Sequence, residues 1–178
     1  MKSVVSFITL AIISGLLVYP APGATNEIHI GGIYSADQLR GARLGYRTSA
    51  LQPSWLDWAG APSLAFESAV NFWQNSNNSS DSITAFSISP VLSWQLNQSA
   101  RPLFLEAGIG GSYIDQTQIG NRKLSTRFQF EDRVGLAWQY SSDSDARISL
   151  QYTHYSNADI EQPNDGLDFF SVYWVIPL

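Results

Sequence analysis

Residues 124–140 read LSTRFQFEDRVGLAWQY. Even positions give Leu124, Thr126, Phe128, Phe130, Asp132, Val134, Leu136, Trp138 and Tyr140. Odd positions give Ser125, Arg127, Gln129, Glu131, Arg133, Gly135, Ala137 and Gln139. Side chains of a strand alternate between faces, so this period of two marks a strand with one apolar face and one polar or small face. The stretch is also long. A run well beyond the usual strand length of about five or six residues suits a tilted strand crossing a bilayer, which needs about 9–11.

The same split recurs outward from this segment. Phe86, Ile88, Pro90, Leu92, Trp94 and Leu96 oppose Ala85, Ser87, Ser89, Ser93 and Gln95; Leu103, Leu105, Ala107, Ile109 and Tyr113 oppose Glu106, Gly108, Gly110 and Ser112. Eight strands are predicted, at 26–34, 39–49, 63–74, 83–97, 102–114, 124–140, 145–157 and 166–178. Polar stretches such as NSNNSSDS (75–82), NQSAR (97–101) and SSDSD (141–145) separate them and read as turns, since none carries EF-hand spacing.

Two barrels satisfy this pattern. A soluble sandwich or lipocalin-like barrel would turn the apolar faces inward, whereas an outer-membrane barrel turns them to lipid. The polar faces hold Arg43, Arg47, Arg127, Arg133 and Arg147 with Glu67, Glu106 and Glu131, which suits a narrow interior packed by paired charges. Trp94, Trp138, Tyr140 and Trp174 lie toward strand ends, as in aromatic girdles. An all-β, eight-stranded antiparallel up-and-down transmembrane barrel is the expectation. Its hairpin loops 1–2, 3–4, 5–6 and 7–8 would face outside.

The start of the chain agrees. Lys2 is followed by the apolar run SVVSFITLAIISGLLV and then by Tyr19, Pro20 and the small residues Ala21-Pro22-Gly23. That order makes a secretory signal peptide over 1–23, leaving one barrel domain over 24–178. The run is too short for the roughly 20 residues of a membrane anchor.

Composition excludes whole classes of function. Ten Lys and Arg stand against fifteen Asp and Glu, which denies the chain a basic nucleic-acid face. Zero cysteines remove disulfides, a thiol nucleophile and Cys-ligated zinc, and two histidines exclude an HExxH site. Neither metal nor cofactor is called for. His29 falls on the interior face of strand 1, a structural position.

The last hairpin carries chemistry. On strand 7 the outward row is Ile148, Leu150, Tyr152, His154 and Ser156; on strand 8 it is Asp168, Phe170, Val172, Trp174, Ile176 and Leu178. If 154 pairs with 168, the hairpin centre falls at Glu161, and His154, Ser156 and Asp168 meet on the outward surface. Ionisable residues in such a row are functional candidates. A nucleophile, a base and an orienting acid are what Ser156, His154 and Asp168 would supply. Asn157, Asn164 and loop N–H groups could then stabilise an oxyanion. The bland alternative makes His154 and Ser156 interfacial residues and Asp168 a turn residue. Spacing alone does not exclude it, because His-x-Ser is a weak pattern without a nucleophile elbow. Asp132 interrupts the apolar row of strand 6; a bulge would turn it inward, otherwise it borders the site, and a supporting role is expected.

His154-Tyr155-Ser156-Asn157-Ala158, followed by Gln162-Pro163-Asn164-Asp165-Gly166, resembles the signature of the PagL family of lipid A 3-O-deacylases. The likeness extends to Phe130–Gly135, Phe104–Gly110 and Pro90-Val91-Leu92, roughly the C-terminal half. The resemblance implies an outer-membrane Ser–His–acid esterase that removes the 3-O-linked hydroxyacyl chain of lipid A. It places the family's histidine on His154, its serine on Ser156 and its activity-critical asparagine on Asn157. The family's acid is a glutamate where this chain has Asp168, and a glycine after Ala158 is replaced by Asp159. Lipopolysaccharide and outer-membrane lipid are the expected partners, with a homodimer left open. The rival readings are a non-catalytic structural or adhesive barrel and an outer-membrane phospholipase.

Overall fold

A computed structural model describes residues 18–20 and 25–178. The signal peptide expected over 1–23 therefore lies outside the described residues, apart from Val18–Pro20. Those three pair antiparallel with Leu51–Pro53.

Eight long strands form the body of the molecule: β1 (Glu27–Tyr34), β2 (Leu39–Arg47), β3 (Ser63–Asn75), β4 (Asn78–Gln95), β5 (Leu103–Ile114), β6 (Phe128–Gln139), β7 (Arg147–Ser156) and β8 (Leu167–Pro177). Each pairs antiparallel with its sequence neighbours, and β8 pairs back onto β1 through Trp174↔Ile30, which closes the barrel. Closure leaves no sheet edge, a condition for strands in lipid.

The faces divide by parity as alternation requires. Outward rows are apolar and exposed, including Ile30, Leu44, Val70, Phe86, Ile88, Val134, Leu136, Leu150, Val172 and Trp174. Inward rows hold a buried ionic lattice. Glu67 accepts from Arg43 (2.8 Å), Arg47 (3.0 Å) and Arg133 (2.6 Å), Glu131 accepts from Arg43 (3.0 Å), and Glu106 accepts from Arg47 (2.6 Å). Arg147 bonds Glu27, and His29 sits between Glu27 and Glu67. Each buried charge thus meets an opposite one, the condition under which burial is tolerated. Arg127 is not among them: it lies exposed before β6.

Two strand starts differ from the sequence reading. β4 starts at Asn78 rather than near 83, because NSNNSSDS turns at Ser76-Asn77 and its remaining polar residues extend the strand beyond the apolar band. β6 starts at Phe128: Ser125 takes φ 58°, and the Thr126 N–H turns back to the Leu124 carbonyl at 2.7 Å. Leu124 is consequently fully buried rather than outward. It joins Trp73, Ile83, Ile114, Tyr155, Leu167 and Phe169 in an apolar plug at the end opposite the termini. Trp73 stacks on Phe169 at 5.0 Å. Ser54–Ala59 also forms a short 3-10 helix at the opposite end, ended by Gly60.

Candidate active site

The site is built where β6, β7 and β8 end at the plugged end of the barrel. His154 pairs with Asp168 across β7 and β8, as the hairpin count expects. Paired residues share a face, so the side chains meet: His154 Nδ1 lies 2.7 Å from Asp168 Oδ1. The aspartate therefore reaches the imidazole without a glutamate's extra methylene. Both groups are partly exposed, at 36% and 44% of their side-chain surface. Ser156 follows two residues on, the same face of β7, about 6.6 Å along the strand. It is half-buried, and its hydroxyl makes no hydrogen bond among the described residues. Catalytic hydrogen bonds are often loose before substrate arrives.

On the other side of His154 stands Asp132, its direct partner on β6. The register of β6 runs without a shift against both β7 and β5, so no bulge turns Asp132 inward. It borders the site, half-buried, from the strand opposite Asp168. His29 is buried inside the barrel and takes no part.

The loop after Ser156 is shaped by side chains turned back onto it. Asn157 is fully buried, and its Nδ2 donates to the Leu124 and Glu161 carbonyls at 2.8 Å each. One amide hydrogen is spent within the loop and the other on the segment before β6, so Asn157 fixes the loop's shape and ties it to its neighbour. The Asn157 N–H donates to Asn164 Oδ1 (3.1 Å), and Asn164 Nδ2 donates to Asp159 Oδ1 (3.0 Å). Ala158 and Asp159 both have positive φ, 53° and 60°. Glycine adopts that conformation freely, and aspartate is among the residues that tolerate it. Asp159 thus keeps a backbone for which the resemblance implies glycine, and its carboxylate ties down Asn164. The Ala158 and Asp159 N–H groups have no acceptor among the described residues.

The neighbouring loop braces this one. Lys123 N–H donates to Asp165 Oδ2 (2.7 Å), Ser125 Oγ donates to the Pro163 carbonyl (2.7 Å), and Arg122 donates to the Asp165 carbonyl (3.0 Å). Arg122 also pairs with Asp37, whose hydrogen bond lifts the guanidinium further above its ordinary value.

Two contributors escaped the sequence reading. Gly166, with φ 64°, packs against the imidazole: a Cβ there would lie 2.9 Å from His154 Cε1. The other, Tyr152, donates to Asp168 Oδ1 at 2.5 Å. Positive φ at Gly166 was readable as a preference; its contact with His154 was not. Toward the barrel's middle, Leu136, Leu150, Tyr152, Phe170 and Val172 border an open apolar groove on the outward face, floored by Gly32 and Gly135.

A family model described as "Lipid A 3-O-deacylase (PagL)" matches residues 40–177. A curated relative from Pseudomonas aeruginosa, "Lipid A deacylase PagL", is 25% identical over 178 residues, the whole of both chains. Its namesake from Bordetella bronchiseptica is 32% identical over 100 residues, covering 56% of this chain and 53% of that one. Among solved structures, "Crystal structure of the outer membrane enzyme PagL" superposes with a TM-score of 0.69 at 24% identity, covering 87% of this chain and 100% of that one. A chain from "De novo design of transmembrane beta-barrels" gives a TM-score of 0.56 at 11% identity, covering 90% of this chain and 100% of that one.

Proposed function

The chain belongs to the lipid A 3-O-deacylase (PagL) family, and on that premise we propose that Ser156, His154 and Asp168 form its catalytic triad on the lipid-facing wall of the barrel. The protein is an outer-membrane esterase acting on lipid A. One observation above all supports the finer reading: the 2.7 Å contact between His154 and Asp168, on the outward face that Ser156 shares.

In the proposed reaction His154 Nε2 takes the Ser156 hydroxyl proton as Oγ attacks the carbonyl carbon of the 3-O-linked ester. The oxyanion is met by the free N–H groups after Asn157, whose shape Asn157 and Asn164 hold, with the Asn164 amide as a further donor if Asp159 releases it. Collapse breaks the bond between the carbonyl carbon and the sugar oxygen, and that oxygen leaves with the proton from His154. Water, deprotonated by His154, then splits the acyl–serine ester and frees the 3-hydroxy fatty acid. Asp168 fixes the tautomer and balances the imidazolium. The apolar groove beside Tyr152 is where the acyl chain would lie, so the ester meets Ser156 without leaving the bilayer. An export signal over 1–23 and a barrel domain over 24–178 belong to the same reading.

Mass spectra of lipid A from cells with and without the protein test the activity: loss of one 3-hydroxyacyl chain is expected. Release of fatty acid from glycerophospholipid instead, or no change, would count against it. Ser156→Ala and His154→Ala should fold and lose activity by orders of magnitude, up to about 10⁶. Native rates in Ser156→Ala would remove it as nucleophile.

A further inference from the structure

Asp168 sits at the boundary of the apolar band with 44% of its side-chain surface exposed, where an unrestrained carboxylate would rotate toward water. Something must hold it toward His154. Tyr152 lies two residues before His154 on β7, on the same outward face, and diagonally across from Asp168, since its own partner on β8 is Phe170. Its ring tilts against Phe170, with centroids 5.4 Å apart and planes at 54°. That packing aims the phenol along β8, and its hydroxyl donates to Asp168 Oδ1 at 2.5 Å. His154 Nδ1 meets the same oxygen at 2.7 Å. No other side chain among the described residues hydrogen-bonds Asp168, and Asp132, on the far side of His154, makes no bond to either.

We infer that Tyr152 is a positioning residue of the site: its hydroxyl pins the Asp168 carboxylate so that one oxygen faces the imidazole. The inference rests on the triad reading above. It assigns a polar task to a tyrosine that alternation alone would count as part of an aromatic girdle. Two donors converging on one oxygen restrain it in two directions, which a lone histidine cannot do. The hydroxyl touches neither substrate ester nor nucleophile, so its effect passes through Asp168.

The test is Tyr152→Phe, which keeps the ring and its packing on Phe170 and removes one oxygen. In refolded, heat-modifiable barrel assayed on lipid A, kcat should fall about tenfold, the scale on which hydrogen bonds to charged groups act. KM should stay within about twofold, because the ring that borders the groove is unchanged. Combined with Asp168→Ala, the tyrosine change should have almost no further effect, since residues acting through one another are not additive. Tyr46→Phe, on the outward face of β2 away from the site, is the control and should match the native rate. Unchanged kcat in Tyr152→Phe, a loss confined to KM, or a full tenfold loss that persists in the Asp168→Ala background would overturn the inference. Ser156→Ala run alongside separates the two levels: if it is inactive while Tyr152→Phe is native, only the positioning role falls. If Ser156→Ala is active, the triad reading falls and takes this inference with it.

Discussion

Replacing Asp168 by alanine leaves the Nδ1 of His154 without its partner at 2.7 Å. The rate should fall strongly, and Asp168→Asn should fall almost as far, because an amide cannot balance an imidazolium and favours the wrong tautomer. In trypsin-like serine proteases that exchange lowers kcat by about 10⁴. Asp168→Glu should retain activity, since the longer acid keeps the charge and can fold back to the same nitrogen. Deacylation assays at equal folded content decide it, and full activity in Asp168→Ala would mean that the acid is Asp132, Asp159 or Asp165, or that Ser156 and His154 work as a dyad. Gly166→Ala is the complementary change. Its methyl would lie 2.9 Å from His154 Cε1, on a backbone with φ 64°. Displacing the ring should lower kcat up to about 100-fold, the cost of a misplacement near 1 Å, while the barrel still forms. A native kcat would show that the imidazole is held elsewhere. Parity and hairpin counting brought His154, Ser156 and Asp168 to one face in the sequence, and the family resemblance gave them their proposed roles. Tyr152 and Gly166 were not legible there, because their roles depend on a rotamer and on a loop's path.

Among the elements, strand alternation does two tasks on one segment of β7. His154 and Ser156 face out, while Tyr155 between them is fully buried and donates to Glu131 at 2.7 Å. The strand end that carries the proposed site is thus tied to the ionic lattice inside. Glu67 is the node of that lattice, shared by Arg43, Arg47 and Arg133. Glu67→Ala would leave three buried guanidiniums with too little opposite charge, and removing one partner of a buried pair costs about 3–5 kcal/mol. Denaturant unfolding in detergent or lipid should show that loss, while the folded fraction keeps its native kcat because the site faces outward. A change below about 1 kcal/mol would mean that water or a rearranged arginine replaces the carboxylate. The lattice was readable as charges on the small-residue face. The apolar plug was not, because Leu124 enters it through a turn that reverses its parity, and Tyr155, though on the inward row, belongs to a face that is otherwise polar. Strand ends were misread for a related reason: β4 continues through polar residues that look like a loop.

At the scale of the whole molecule, the decisive question for the sequence was which face of the sheet meets the core. Alternation alone fits a soluble barrel as well as a membrane barrel; strand length, the charges on the small-residue face, the aromatic residues toward strand ends and the apolar start of the chain favoured the membrane. The closed barrel, with Arg and Glu inside and Phe, Leu, Val and Trp outside, settles the direction. Val172 tests it quantitatively. It lies midway along the outward row of β8, between Phe170 and Trp174, and is 53% exposed. On a water-soluble surface, valine to arginine at such a position would change stability by less than about 0.5 kcal/mol. At the midplane of a bilayer the same change costs about 2–4 kcal/mol, because no water or counter-charge meets the guanidinium. Val172→Arg should therefore destabilise the barrel by that larger amount when unfolding is measured in lipid vesicles, and should weaken the shift between boiled and unboiled samples in mild SDS. Moving the arginine to the rim, at Tyr34, should cost no more than about 1 kcal/mol, since the penalty falls with depth. Equal costs at the two positions would mean that β8 does not cross hydrocarbon there.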